Sequence, residues 1–122
     1  VPATVLLIDD NDDAREAVAF LIEKDGIRVV QARNGREALR QLDAGLSPTL
    51  ILLDLLMPQL DGWAFRGEQR KLPGAADIPL VIYSGSPTVA DDATELGAAG
   101  WLQKPLDFDR LLELVRRLCQ PR

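Results

Sequence analysis

Five polar residues stand directly after apolar runs in this 122-residue chain, and their types suit phosphoryl chemistry. Asp9 and Asp10 follow Val5-Leu6-Leu7-Ile8, and Asp54 follows the run from Leu50 to Leu53. Ser84 follows Leu80-Val81-Ile82-Tyr83, and Lys104 follows Trp101-Leu102-Gln103. Carboxylates crowded together repel, so a cation or a shifted pKa should accompany them. A carboxylate in such a place is a candidate nucleophile towards phosphorus, giving an acyl phosphate. A serine hydroxyl can donate to a phosphoryl oxygen, and a lysine can set a point charge beside another. Phosphoryl transfer asks for little beyond this positioning and charge neutralisation. Each residue alone has a plainer role. Asp54 could cap a turn, Asp10 or Asn11 could cap a helix, Ser84 could cap another, and Lys104 could be solvated like most lysines. All five being incidental at once is the weaker explanation.

The elements around them must bring them to one place. Val5–Ile8, Ile27–Ala32, Leu50–Asp54, Pro79–Tyr83 and Trp101–Leu102 read as short strands, apolar without clean alternation, as strands buried on both faces are. Between them lie helical stripes. The first carries Ala14, Val18 and Leu21 with Ala17 and Ile22, and ends near Gly26. The second opens at Asn34-Gly35 and turns Ala38, Leu39 and Leu42 inward. The third runs from about Gly62 to Leu72 on a weak stripe of Trp63, Ala64 and Leu72. A short fourth carries Val89, Ala93 and Leu96. The fifth has the cleanest stripe, Phe108, Leu111, Leu112, Val115 and Leu118. Strand and helix thus alternate five times, which predicts an α/β fold: a doubly wound five-stranded parallel sheet with helices on both faces and strand order 2-1-3-4-5. In such a sheet all strand C-termini lie on one edge, where ligands bind.

Composition narrows the classes. Hydrophobic residues at 47% and charged residues at 27% describe a globular chain, expected to form a single domain over residues 1–122. A net charge of −5 argues against direct nucleic-acid binding, and no apolar run approaches a membrane span, so no membrane partner is expected. The lone Cys119 favours a reducing, cytoplasmic setting. The absence of histidine excludes imidazole acid–base catalysis. With so few soft ligands, a metal site would be oxygen-ligated, which favours magnesium, calcium or manganese over zinc.

Over Thr4 to Cys119 the chain resembles the receiver domains of two-component response regulators, which are chemotaxis-type and flavodoxin-like. The resemblance is carried by Leu6-Leu7-Ile8-Asp9-Asp10, by Asp54-Leu55-Leu56-Met57-Pro58 with Asp61-Gly62, by Ser84, and by Gly97-Ala98 leading to Lys104-Pro105. Each motif is weak alone, and in this order and spacing they are specific. The resemblance implies a phosphorylation-dependent signalling switch and not an enzyme with an external product. Asp54 would be the phosphoacceptor, supplied by a phosphohistidine on a sensor histidine kinase or phosphotransfer protein. Asp10, Asp54 and the Leu56 carbonyl would bind Mg2+, or Mn2+ in its place, with Asp9 acting largely through water. Ser84 would follow the phosphoryl group and draw in Trp101, relaying the change to the face of the fourth helix, fifth strand and fifth helix, and so to an output partner or effector domain. Lys104 would hold the phosphate, and the bond to Pro105 would be cis. Leu56 and Ser86 would flank the phosphoryl group and modulate its hydrolysis.

The chain departs from the family pattern in two places. Tyr or Phe is usual where Trp101 stands, and the segment from Ser84 to Lys104 is about two residues short, so the fourth helix should be trimmed. Two other classes compete. An aspartate-nucleophile phosphatase of the haloacid dehalogenase type needs a second Asp two residues after the nucleophile, where Leu56 stands. A flavodoxin-like cofactor binder needs a Ser/Thr/Gly-rich phosphate loop where Asp9 to Asp13 are acidic.

Overall fold

The computed structural model describes residues 3–56 and 60–120. Met57 and Pro58 of the central motif lie outside them. Ten elements alternate along the chain: β1 (Thr4–Ile8), α1 (Asp12–Lys24), β2 (Arg28–Ala32), α2 (Gly35–Asp43), β3 (Leu50–Asp54), α3 (Gly62–Lys71), β4 (Leu80–Ser84), α4 (Val89–Leu96), β5 (Gly100–Gln103) and α5 (Phe108–Cys119). The strands form one parallel sheet in the order β2-β1-β3-β4-β5. This is the predicted order.

Side chains alternate along a strand, so a sheet covered on both faces needs apolar residues at every position. Leu6, Ile8, Ile51, Leu53, Leu80 and Ile82 pack with residues of α2, α3 and α4. Val5, Leu7, Leu50, Leu52, Val81 and Tyr83 pack with residues of α1 and α5. β1, β3 and β4, which lie innermost in the sheet, are the most completely buried strands. The same alternation assigns faces at the functional edge. Asp9, Asp54 and Tyr83 fall on the α1/α5 side, whereas Ser84 falls on the α2–α4 side with Trp101.

Three helical stripes differ from expectation. In α1 the buried residues are Arg15, Val18, Ala19 and Ile22, while Ala14 and Ala17 are exposed. Arg15 can be buried because its guanidinium donates to the Asp9 carbonyl and its Nε to Gln31. In α3 Ala64 is exposed, and the inward face is Gly62, Phe65, Arg66 and Gln69. An apolar-periodicity reading passes over a buried Arg and Gln. In α5 Phe108 is 45% exposed because it is the first helical residue, while Leu114 takes an inward place. α4 spans eight residues and ends at Gly97 in the left-handed region, φ 66°.

Candidate phosphoacceptor site

Strand register brings the predicted residues together at the C-terminal edge. Ile8 pairs with Leu53, so Asp9 and Asp54 leave neighbouring strands side by side. Asp54 pairs in turn with Tyr83, and Ser84 with Gln103. The Lys104 amide donates to the Ser84 carbonyl at 2.9 Å, which holds the lysine against the end of β4. The Lys104–Pro105 peptide is cis.

Asp9, Asp10 and Asp54 each offer a carboxylate oxygen, and the three oxygens lie within 4.8 Å of one another. Asp9 and Asp54 are buried and Asp10 is exposed. Lys104 Nζ lies 3.2 Å from Asp54 Oδ2, and the Leu56 amide approaches Asp54 Oδ1 at 3.4 Å. Burial pushes the Asp54 carboxyl above its ordinary range; Lys104 pulls it back, and the Asp9 charge adds to the rise. Lys104 pairs with Asp54 alone, and the nearby Arg15 guanidinium is engaged with the Asp9 carbonyl and Asp12, so no cation bridges the three carboxylates. An all-oxygen donor set with excess negative charge fits a hard divalent cation, magnesium above all.

The plainer roles divide among neighbours. Asn11, not Asp10, caps α1 by accepting from the Ala14 amide. Asp61 caps α3 through the Ala64 amide. Its neighbour Gly62 is required by close approach, since a Cβ there would run into the Leu55 side chain. The Asp61-Gly62 pair thus sets the start of α3, and the cap of that helix falls to Asp61 and not to Asp54. Ser84 is buried and its Oγ accepts from the Ser86 amide at 3.0 Å. Ser86 is engaged with Thr88, Oγ to Oγ1 at 2.8 Å. Leu56 is 60% exposed at the mouth of the site. Trp101 is half-buried, with the Arg110 guanidinium 5.6 Å from its ring centroid.

Sequence reasoning missed one member. The Tyr83 hydroxyl donates to Asp9 Oδ2 at 2.6 Å, and the Lys104 ammonium lies 5.4 Å from the centroid of the tyrosine ring. Burial, followed by the Asp9 charge, raises the phenol pKa far above its ordinary value, so the hydroxyl stays a donor. The available signal was its strand position: it shares the sheet face of Asp54 and ends in a polar atom.

Comparison with known proteins agrees with this geometry. The family model of the response regulator receiver domain matches residues 5–116, and the chain belongs to that family. It is 30% identical to the chemotaxis protein CheY of Bacillus subtilis, covering 93% of this chain and 94% of that protein. It is 38% identical to the positive alginate biosynthesis regulatory protein of Pseudomonas aeruginosa, covering 96% of this chain but 47% of that longer protein. A response regulator receiver protein from Pseudomonas putida superimposes with a TM-score of 0.86 at 33% identity, covering 96% of this chain and 98% of that one. The domain is therefore a phosphoacceptor module of two-component signalling, and the haloacid dehalogenase reading finds no support. Among the described residues no helix is long and apolar enough to cross a membrane.

Proposed function

We propose that Asp54 accepts a phosphoryl group from a phosphohistidine on a sensor histidine kinase or phosphotransfer protein. The observation that carries this reading is the burial of Asp54 against two further carboxylates and Lys104 at the ligand-binding edge of the sheet. The phosphorus–nitrogen bond of the donor breaks as a bond forms from phosphorus to an Asp54 oxygen, and the imidazole leaves with the electron pair. Mg2+, or Mn2+, would be held by Asp10, Asp54 and the Leu56 carbonyl, with Asp9 acting largely through water. Its charge would neutralise the carboxylates and the phosphoryl oxygens. Lys104 exchanges its Asp54 contact for a phosphoryl oxygen, and the Ser84 hydroxyl donates to another.

Ser84 then leaves its contact with the Ser86 amide, and Trp101 on the same sheet face responds. The output surface is the face of α4, β5 and α5, where Trp101, Arg110, Leu114 and Arg117 help to line a groove of about 480 Å³. An output partner or effector domain reads that face, and the whole operates in the cytoplasm as one domain.

The test is incubation with Mg2+ and acetyl phosphate, followed by intact-mass measurement. One phosphoryl group is expected on the wild type, labile to hydroxylamine, and none on Asp54→Asn. An undiminished adduct on Asp54→Asn would reject Asp54 as acceptor.

A further inference from the structure

We propose that Tyr83 is a positioning residue for the metal-binding carboxylates: its hydroxyl holds Asp9 in the orientation from which the acidic cluster takes magnesium. The inference rests on the metal-dependent reading above and extends it to a residue outside the recognised motifs.

Asp9 is fully buried, and its two oxygens are held from two directions. The Asn11 amide donates to Oδ1 at 2.9 Å, and the Tyr83 hydroxyl donates to Oδ2 at 2.6 Å. The first donor is local, two residues along the same loop, and by itself leaves the carboxylate free to turn about that bond. The second comes from β4, two strands away in the sheet. Together they fix the carboxylate plane. Each oxygen keeps lone-pair capacity for the cluster, because an ionised carboxylate has about four acceptor sites.

Tyr83 is itself immobile. Its side chain is 1% exposed within the α1/α5 core, and the Lys104 ammonium lies near its ring. Core packing does not call for the hydroxyl, since Phe would supply the same ring. A buried hydroxyl is costly unless bonded, and here Asp9 provides the bond. One side chain thus orients Asp9 through its oxygen while its ring lies beside Lys104, which contacts Asp54. Groups that orient a metal's ligands commonly change its affinity by about ten- to a hundredfold when removed.

The experiment compares magnesium affinity by titration calorimetry in wild type, Tyr83→Phe, Asp9→Asn and the double variant, with thermal melts in metal-free buffer as a fold control. Tyr83→Phe should weaken magnesium binding about tenfold. In the Asp9→Asn background it should weaken it no further, because the phenol acts through Asp9. A merely structural tyrosine would lower the melting temperature and leave the affinity alone. An affinity within about twofold of wild type, or an equal loss in both backgrounds, would overturn the proposal. A second measurement needs no variant: the Tyr83 hydroxyl proton should appear in the metal-free protein's NMR spectrum and shift on adding magnesium. A proton that ignores saturating magnesium also overturns it. Wild type that binds no magnesium would overturn both this proposal and the reading beneath it, whereas normal wild-type binding with an unaffected Tyr83→Phe overturns this proposal alone.

Discussion

At the C-terminal edge of the sheet Asp9 and Asp54 are buried, with Lys104, itself partly exposed, against Asp54 and the Arg15 guanidinium on the Asp9 carbonyl. Between α3 and α4, Arg66 is also buried, and each of its three guanidinium nitrogens makes a hydrogen bond. Its Nε donates to the Leu96 carbonyl at 3.1 Å, one terminal nitrogen to Gln69 at 2.9 Å and the other to the Gly97 carbonyl at 3.1 Å. Gln69 passes the chain of bonds on to the Ala75 and Ile78 carbonyls, and Arg70 adds a second guanidinium at Leu96. The cations sit at the negative end of α4, where the helix leaves its last carbonyls free. The two regions bury charge alike and differ in its balance: Arg66 faces the negative end of α4, whereas Asp9 and Asp54, though each accepts hydrogen bonds, lie against a further carboxylate of their own sign. A charge met by the opposite pole is part of the framework, and carboxylates crowded together favour a bound cation.

The largest effect should come from breaking the arginine network. Arg66→Met leaves the buried Gln69 oxygen without its donor, and a buried orphan costs about 1–3 kcal/mol, while the exposed Gly97 carbonyl can turn to water. Urea unfolding should show a loss of about 2–3 kcal/mol. Magnesium affinity and phosphorylation of the folded fraction should not change. Parallel loss of stability and magnesium affinity would show that the two regions are one cooperative unit and would dissolve the contrast.

Removing charge from the acidic cluster should do the reverse, by a smaller amount. Burial raises the Asp54 pKa above its ordinary 3.8, so the folded chain holds that proton more tightly than the unfolded chain. Stability in metal-free buffer therefore rises as pH falls from above the folded pKa towards 3.8, below which both states are protonated. Asp54→Asn carries no such charge. At pH 7 it should melt a few degrees higher than wild type without metal, and the gap should close on acidification. Saturating magnesium should stabilise wild type more than the variant. A variant that melts lower at pH 7 would mean that Lys104 already satisfies Asp54.

Much of this was legible because the sheet is simple. Unbroken apolar runs ending in Asp9, Asp54, Ser84 and Lys104 lead to one edge whenever strands are parallel, so order and convergence follow from pattern. Helix faces were less legible where polar residues turn inward. Arg15, Arg66 and Gln69 are buried because carbonyls outside their own helices meet them, six to nine residues away for Arg15 and Gln69 and about thirty for Arg66, and helical periodicity does not encode those partners. Phe108 misled for the opposite reason, an apolar residue in register with the stripe but too near the helix start to be covered. Tyr83 was hidden in an apolar run, its hydroxyl matched to a carboxylate 74 positions away.

The smallest effect concerns how long the phosphorylated state lasts. Hydrolysis needs a water aligned behind phosphorus, opposite the Asp54 oxygen. Leu56, two residues beyond Asp54, has its amide 3.4 Å from the acceptor carboxylate and its side chain 60% exposed at the mouth of the site. If its side chain lies on the water's approach, as we propose, it can neither orient a water nor take its proton. Ser86 is the competing influence, but its hydroxyl is already paired with Thr88 Oγ1 at 2.8 Å and accepts from the Thr88 amide at 3.2 Å. A hydroxyl so committed is a poor holder of a further water. Leu56 should therefore dominate and make the phosphoryl group long-lived. Leu56→Asn should shorten its lifetime several-fold, a barrier change of about 1 kcal/mol. Magnesium affinity should hold, because the backbone carbonyl is kept. Decay of purified phosphoprotein in magnesium buffer, wild type beside variant, decides the matter: equal rates, or a slower variant, would mean that the exposed leucine leaves the water's path open.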